Sequence, residues 1–135
     1  MIQLNYRDAR PLYEQIKEKL RHLILSNALS CDALLPSVRE LAQLLTVNPN
    51  TIQKAYRELE LEGYIYSVKG KGSFVAQQDK NSSFYQQQVD HLLLSLSGIL
   101  TELFYLDYPD KLVHQYVDTF YTNAQKQQEV QSHER

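Results

Sequence analysis

A chain of 135 residues, 43% hydrophobic and 22% charged, suits one ordinary domain or a small domain with an extension, and is too apolar to be disordered. Its one cysteine, Cys31, excludes an internal disulfide and fits a reducing cytoplasm; no leader-like start or long apolar run points to secretion or a membrane. The net charge of −2 is unevenly spread, because residues 1–76 hold ten Lys/Arg against eight Asp/Glu and residues 77–135 hold four against eight, so the first half can still present a basic face.

Ile2, Leu4 and Tyr6 alternate with polar residues, a pattern that fits an extended arm or a frayed end. Pro11 then opens a helix with an apolar stripe of Leu12, Tyr13, Ile16, Leu20, Leu23 and Ile24, ending near Asn27, whose expected job is core. Ala28–Leu35 is a connection in which Leu34 and Leu35 can form a short strand. Ser37 followed by Glu40 is a capping box, and Val38, Leu41, Ala42, Leu44 and Leu45 carry a short helix behind it. Thr46 and Val47 make a turn. Asn48 is the next N-cap and Pro49 the first residue of a helix reaching about Glu62, where Gly63 offers a left-handed stop.

At about 100° per residue this helix has two faces. Ile52, Ala55, Tyr56 and Leu59 fall together as the packing side, and Asn50, Gln53, Lys54 and Arg57 fall opposite, with Leu61 near the helix end. Amides suit adenine edges, and arginine suits guanine or phosphate. A polar face on a helix taken alone is simply solvated. Here the helix is the second of a capped pair, and a hairpin follows, Tyr64–Val68 with Ser73–Ala76 through Lys69-Gly70-Lys71-Gly72. Glycines there serve the turn, while Lys69 and Lys71 add charge suited to phosphate. Helix, turn, helix and hairpin in this order spell a winged helix-turn-helix.

The segments LPSVRELA, VNPNTIQKAYRELELEGYI and GKGSFV resemble the GntR family of bacterial transcription regulators, over about Pro11 to Val75. The resemblance implies operator contacts by Arg39, by Asn48, Asn50, Thr51 and Gln53, and by Lys69 and Gly70 at the wing. Pro49 and Gln53 stand where better-known relatives carry arginines, so no operator sequence transfers.

Gln77 to Ser83 form a polar linker. Val89, Leu92, Leu93, Leu96, Ile99, Leu100 and Leu103 then repeat in steps of three and four, interrupted only by Gly98. After a turn at Asp107-Tyr108-Pro109-Asp110, a second helix carries Leu112, Val113, Tyr116, Val117, Phe120 and Tyr121, and a polar tail from Gln125 is expected to fray. The expected plan is mainly α with a small β-hairpin wing: a winged helix-turn-helix at 1–76, a linker at 77–83, a helical dimerisation hairpin at 84–124 and a tail at 125–135. Leu92, Leu96, Ile99, Leu100, Leu103, Val113, Tyr116, Val117 and Phe120 are its dimerisation residues, since two such helices cannot hide their apolar surface in their own hairpin. The length and pattern of this half resemble the short YtrA-like branch, which implies a repressor whose regulated genes are neighbours encoding transporters.

No residue pattern supports catalysis, and no cofactor or metal is expected. His91 and His114 lack a partner at ligand spacing apart from Asp118, and no phosphate loop or nucleophile elbow occurs. The expected partners are a double-stranded DNA operator with an inverted repeat and a second copy of the chain; any small-molecule effector would have to bind between the C-terminal helices or at the domain junction. The competing reading is a protein-interaction adaptor, for which apolar or acidic residues should replace the polar face of the second motif helix.

Overall fold

Side-chain caps start the two motif helices of the first half. The computed structural model describes residues 2–134; Met1 and Arg135, the outer limits of the expected first domain and tail, lie outside the described residues. Helix α1 (Leu12–Leu25) follows Pro11 and buries Gln15, Ile16, Leu20 and Ile24. Helix α2 (Val38–Leu45) has the expected capping box: the Glu40 N–H donates to Ser37 Oγ at 3.1 Å, and the Ser37 N–H donates to the Glu40 carboxylate at 3.0 Å. Helix α3 (Pro49–Leu61) starts beneath Asn48, whose Oδ1 accepts from the Asn50 N–H at 2.9 Å. Gly63, at φ 82°, supplies the left-handed stop.

Strands β1 (Ile65–Val68) and β2 (Gly72–Val75) pair antiparallel, with Ile65 opposite Val75 and Val68 opposite Gly72. Gly72, expected in the turn, is thus the first residue of β2, and the tip shrinks to Lys69-Gly70-Lys71. The Lys71 N–H closes it by donating to the Val68 carbonyl at 2.9 Å. Gly72 has a second reason to be glycine, since at φ 118° any Cβ would stand 3.1 Å from Leu34 Cδ1. Leu34 makes the expected strand-like contact, bridging to Phe74. Beside it the Leu35 N–H donates to the Ser73 carbonyl at 2.8 Å and the Val75 N–H to the Ala33 carbonyl at 3.0 Å.

The core draws Ile16, Leu20 and Ile24 from α1, Leu41 and Ala42 from α2, and Tyr64, Ile65 and Val75 from the hairpin. From α3 it takes Ile52, Ala55, Tyr56 and Leu59, the four residues that the helical period assigned to the packing side. Tyr56 also donates its hydroxyl to the Pro36 carbonyl at 2.7 Å. Gln15, the buried polar residue, is satisfied on both ends of its amide: Nε2 donates to the carbonyls of Asn5 (3.0 Å) and Arg10 (3.2 Å), and Oε1 accepts from the Asn5 N–H at 2.9 Å. This clamp, with Ile2 and Leu4 packed on the core, ties down the N-terminal arm.

The chain divides into two compact units, one up to Gln87 and one from Gln88. Helix α4 (Ser83–Tyr105) begins in the first and continues into the second, and α5 (Asp110–His133) lies in the second. Ser83, expected in the linker, is already helical, because Ser82 Oγ accepts from the Tyr85 N–H at 3.1 Å and caps the helix. The tail expected to fray from Gln125 remains helical through His133. Its Gln, Lys, Glu and Val residues include no glycine or proline to break the ladder. Neither α4 nor α5 contains a buried residue, and beyond the turn marked by Asp107 at φ 57° they do not pack along each other. The expected hairpin is therefore open. Among the described residues no helix is long and apolar enough to cross a membrane.

Two outcomes follow from these details. Alanine at Gly63 would hold a left-handed φ and place its Cβ 3.4 Å from the Phe84 ring, so Gly63→Ala should lower stability by about 1–2 kcal/mol in urea unfolding. An unchanged midpoint would mean that the cap contributes nothing. Burial, helped by the Glu40 carboxylate, raises the Tyr56 phenol to about 12. A native pKa above the ordinary value favours the neutral phenol, so its stabilisation is complete below about pH 10 and lost as pH rises to about 12. Urea unfolding across that window should show a steeper loss for the natural chain than for Tyr56→Phe.

Candidate nucleic-acid interface

Helix α3 is tied on three sides by its own polar residues. Tyr56 holds it to the entry of α2 through the Pro36 carbonyl. Lys17 of α1 donates to the Glu62 carboxylate at 2.9 Å and sits 3.8 Å from Glu58, an ion pair without a hydrogen bond. Glu60 accepts from the Ser67 N–H at 3.1 Å and from its hydroxyl at 3.3 Å, which joins α3 to the first strand of the wing. Both carboxylates of α3, and that of Glu62 at its C-cap, are therefore engaged with its neighbours.

The cations on the outer side are free of such pairing. Among the described residues, Arg39, Arg57, Lys69 and Lys71 form no ion pair, whereas Arg10 is held by Asp8 and Glu18 and Lys17 by Glu58 and Glu62. A half with only two more cations than carboxylates thus still carries ion-pair-free positive charge on the motif and the wing tip, as it does at Arg7, Lys19 and Arg21 of the arm and α1.

Each sequence-predicted residue has a definite place. Arg39 is exposed on α2, on the rim of an open groove walled by Ala42, Gln43, Thr46, Val47 and Pro49. Asn48 is exposed, but its Oδ1 is used by the cap, leaving the amide nitrogen as its outward donor. Asn50, Gln53 and Arg57 are exposed along α3, and Thr51 is half-buried in its first turn. Lys69, Gly70 and Lys71 form the exposed wing tip; Gly70, at φ 80°, supplies the positive φ of the turn and faces open space. Leu61 is exposed, as the helical period placed it.

Lys54 behaves differently from its neighbours. Its ammonium lies over the ring of Tyr13 on α1, 3.9 Å from the centroid. The sequence pattern had placed Tyr13 only in the apolar stripe of α1. It is half-buried against the core and also carries the lysine, a tertiary contact with no signal in local spacing. The assembled surface can do one kind of chemistry: amides, two guanidinium groups and ammonium groups donate hydrogen bonds toward acceptors and anions. Among the described residues, no group of three or more His, Cys, Asp or Glu side chains could hold a metal ion.

Residues 12–75 match the model of the family described as bacterial regulatory proteins, gntR family. The chain is 43% identical over 82 residues to the HTH-type transcriptional repressor YtrA of Bacillus subtilis (strain 168), a match covering 61% of this chain and 63% of that one. It thus spans under two thirds of the length of that curated relative. A Listeria monocytogenes EGD-e protein described as a transcriptional antiterminator has a crystal structure that superposes with TM-score 0.75, at 32% identity over 90% of each chain. A GntR family transcriptional regulator from Listeria monocytogenes gives TM-score 0.68 at 31% identity, covering 83% of this chain and 96% of that one. These relatives are transcription proteins, not enzymes. The chain belongs to the GntR family of bacterial regulatory proteins and resembles its short, YtrA-like members.

Proposed function

We propose that this chain is a cytoplasmic, sequence-specific transcription repressor that binds an inverted-repeat operator in double-stranded DNA as a homodimer. The observation that carries the reading is the outer surface of α3 and the wing, where amides and unpaired cations are exposed while every carboxylate of α3 is engaged. On this reading α3 enters the major groove. Arg39, Asn50, Gln53 and Arg57 meet base edges, Asn48 and Thr51 meet the backbone at the helix start, and Lys54, Lys69, Gly70 and Lys71 meet phosphates. Repression is supported by the name of the Bacillus relative, and control of neighbouring transporter genes by the resemblance to its branch.

The dimer is supported by what the second unit lacks. Leu92, Leu96, Ile99, Leu100, Tyr116, Val117 and Phe120 are exposed on α4 and α5, while Leu103 and Val113 are half-buried. Helices with this much open apolar surface call for a partner, and a two-fold pair doubles the contact of a single reading helix.

Selection from a random DNA pool at moderate salt should enrich an inverted repeat. No enrichment from folded, dimeric protein would favour the adaptor reading. Against the enriched site, Arg39→Ala should cost about 1–3 kcal/mol and relax one position per half-site, whereas Lys71→Ala should weaken all sequences alike and flatten the salt dependence. Equal loss on specific and random DNA would remove Arg39 from base reading. Sedimentation equilibrium should give a two-chain mass, and Leu96→Glu with Leu100→Glu should convert it to one chain; an unchanged mass would place the interface elsewhere.

A further inference from the structure

Three cations of the first unit are held in place, in two different ways. Arg10 and Lys17 sit against carboxylates, which fix them and cancel their charge. Lys54 is fixed by an aromatic face, with its ammonium 3.9 Å above the Tyr13 ring and, among the described residues, no carboxylate in ion-pair reach. A π face attracts a cation through its quadrupole without neutralising it, so the ammonium stays positive and able to donate. Tyr13 is itself immobilised, since its ring packs partly on the core and its hydroxyl donates to the Glu14 carboxylate at 3.2 Å. The pair therefore joins a rigid platform on α1 to a positive charge on the exposed side of α3.

We propose that Tyr13 is a positioning residue for DNA binding: its ring holds the Lys54 ammonium at the α1–α3 junction, where it meets a backbone phosphate beside the bases that α3 reads. This deepens the DNA-binding reading and rests on it. A freely rotating lysine must be ordered when the complex forms, and that ordering costs affinity. A lysine already laid across a fixed ring has lost much of that freedom beforehand. Tyr13 thus acts through Lys54 and touches no base.

Phosphate contact is blind to sequence, so a labelled random-sequence duplex is a suitable probe, titrated with the full chain over a range of salt. Lys54→Gln should weaken binding and reduce the salt slope by about 0.9, one phosphate's share. Tyr13→Leu, which keeps apolar bulk on α1, should weaken binding roughly two- to fivefold. In the Lys54→Gln background the same change should have no further effect. Tyr13→Phe, which keeps the ring, should bind like the natural chain.

The proposal is overturned if Tyr13→Leu binds like the natural chain, if its loss is the same with and without Lys54, or if Tyr13→Phe loses as much as Tyr13→Leu. A second measurement needs no DNA. The Lys54 ε-methylene protons should be shifted upfield by the ring current in the natural chain and in Tyr13→Phe, and should return to ordinary positions in Tyr13→Leu. Ordinary positions in the natural chain would overturn the pairing whatever the binding data. Failure of the natural chain to bind any duplex would instead remove the DNA-binding reading, and the proposal with it. That outcome is recognisable because no substitution is involved.

Discussion

Helix α3 can leave its polar side unoccupied because its opposite side is fully used. Ile52, Ala55 and Leu59 have no accessible surface and Tyr56 has almost none. Burying an isoleucine or leucine side chain contributes roughly 1.5–3 kcal/mol, so these residues fix the rotation of the helix about its axis far more firmly than any surface contact could. Once that rotation is set, Asn50, Gln53 and Arg57 must face outward. The Glu60–Ser67 contact then ties the first wing strand to the same helix, so α3 and the wing are held as one piece.

How much of this is legible in the sequence depends on how local each determinant is. The capping box at Ser37 and Glu40, the Asn48 cap with Pro49, and the stop at Gly63 all act within a few residues, and each is visible in the bare string. The two faces of α3 are equally legible, because a 3.6-residue period needs only the helix itself. The strand role of Gly72 is not legible in the turn pattern, because it depends on register with Val68 and on the approach of Leu34 from a distant connection. Lys54 over Tyr13 joins two helices and has no local signature. The helicity of the tail beyond Gln125 is hidden for another reason: absence of apolar period argues against burial, but residues with good helix propensity can continue a helix that buries nothing.

Charge poses a related problem, since a unit with ten cations and eight carboxylates in residues 1–76 is close to neutral as a whole. The arrangement separates the signs without changing the count. Glu58 and Glu62 face Lys17, Glu60 faces the wing backbone, Glu40 is turned into its own cap, and Asp8 and Glu18 hold Arg10. A summed charge would rank this chain as a poor ligand for a polyanion. The local field over α2, α3 and the wing tip is what an approaching phosphate would meet.

The second unit differs from the first in having no interior of its own, since neither α4 nor α5 buries a residue and the two do not close on each other. On the homodimer reading, completing this half and associating are one event. The quantity of assembled protein then follows the square of the free chain concentration when copies are scarce. Occupancy of a target site would rise more steeply than expression, and would collapse faster than the protein is diluted by growth. A cell could therefore release such a site by a modest drop in copy number, with no ligand involved.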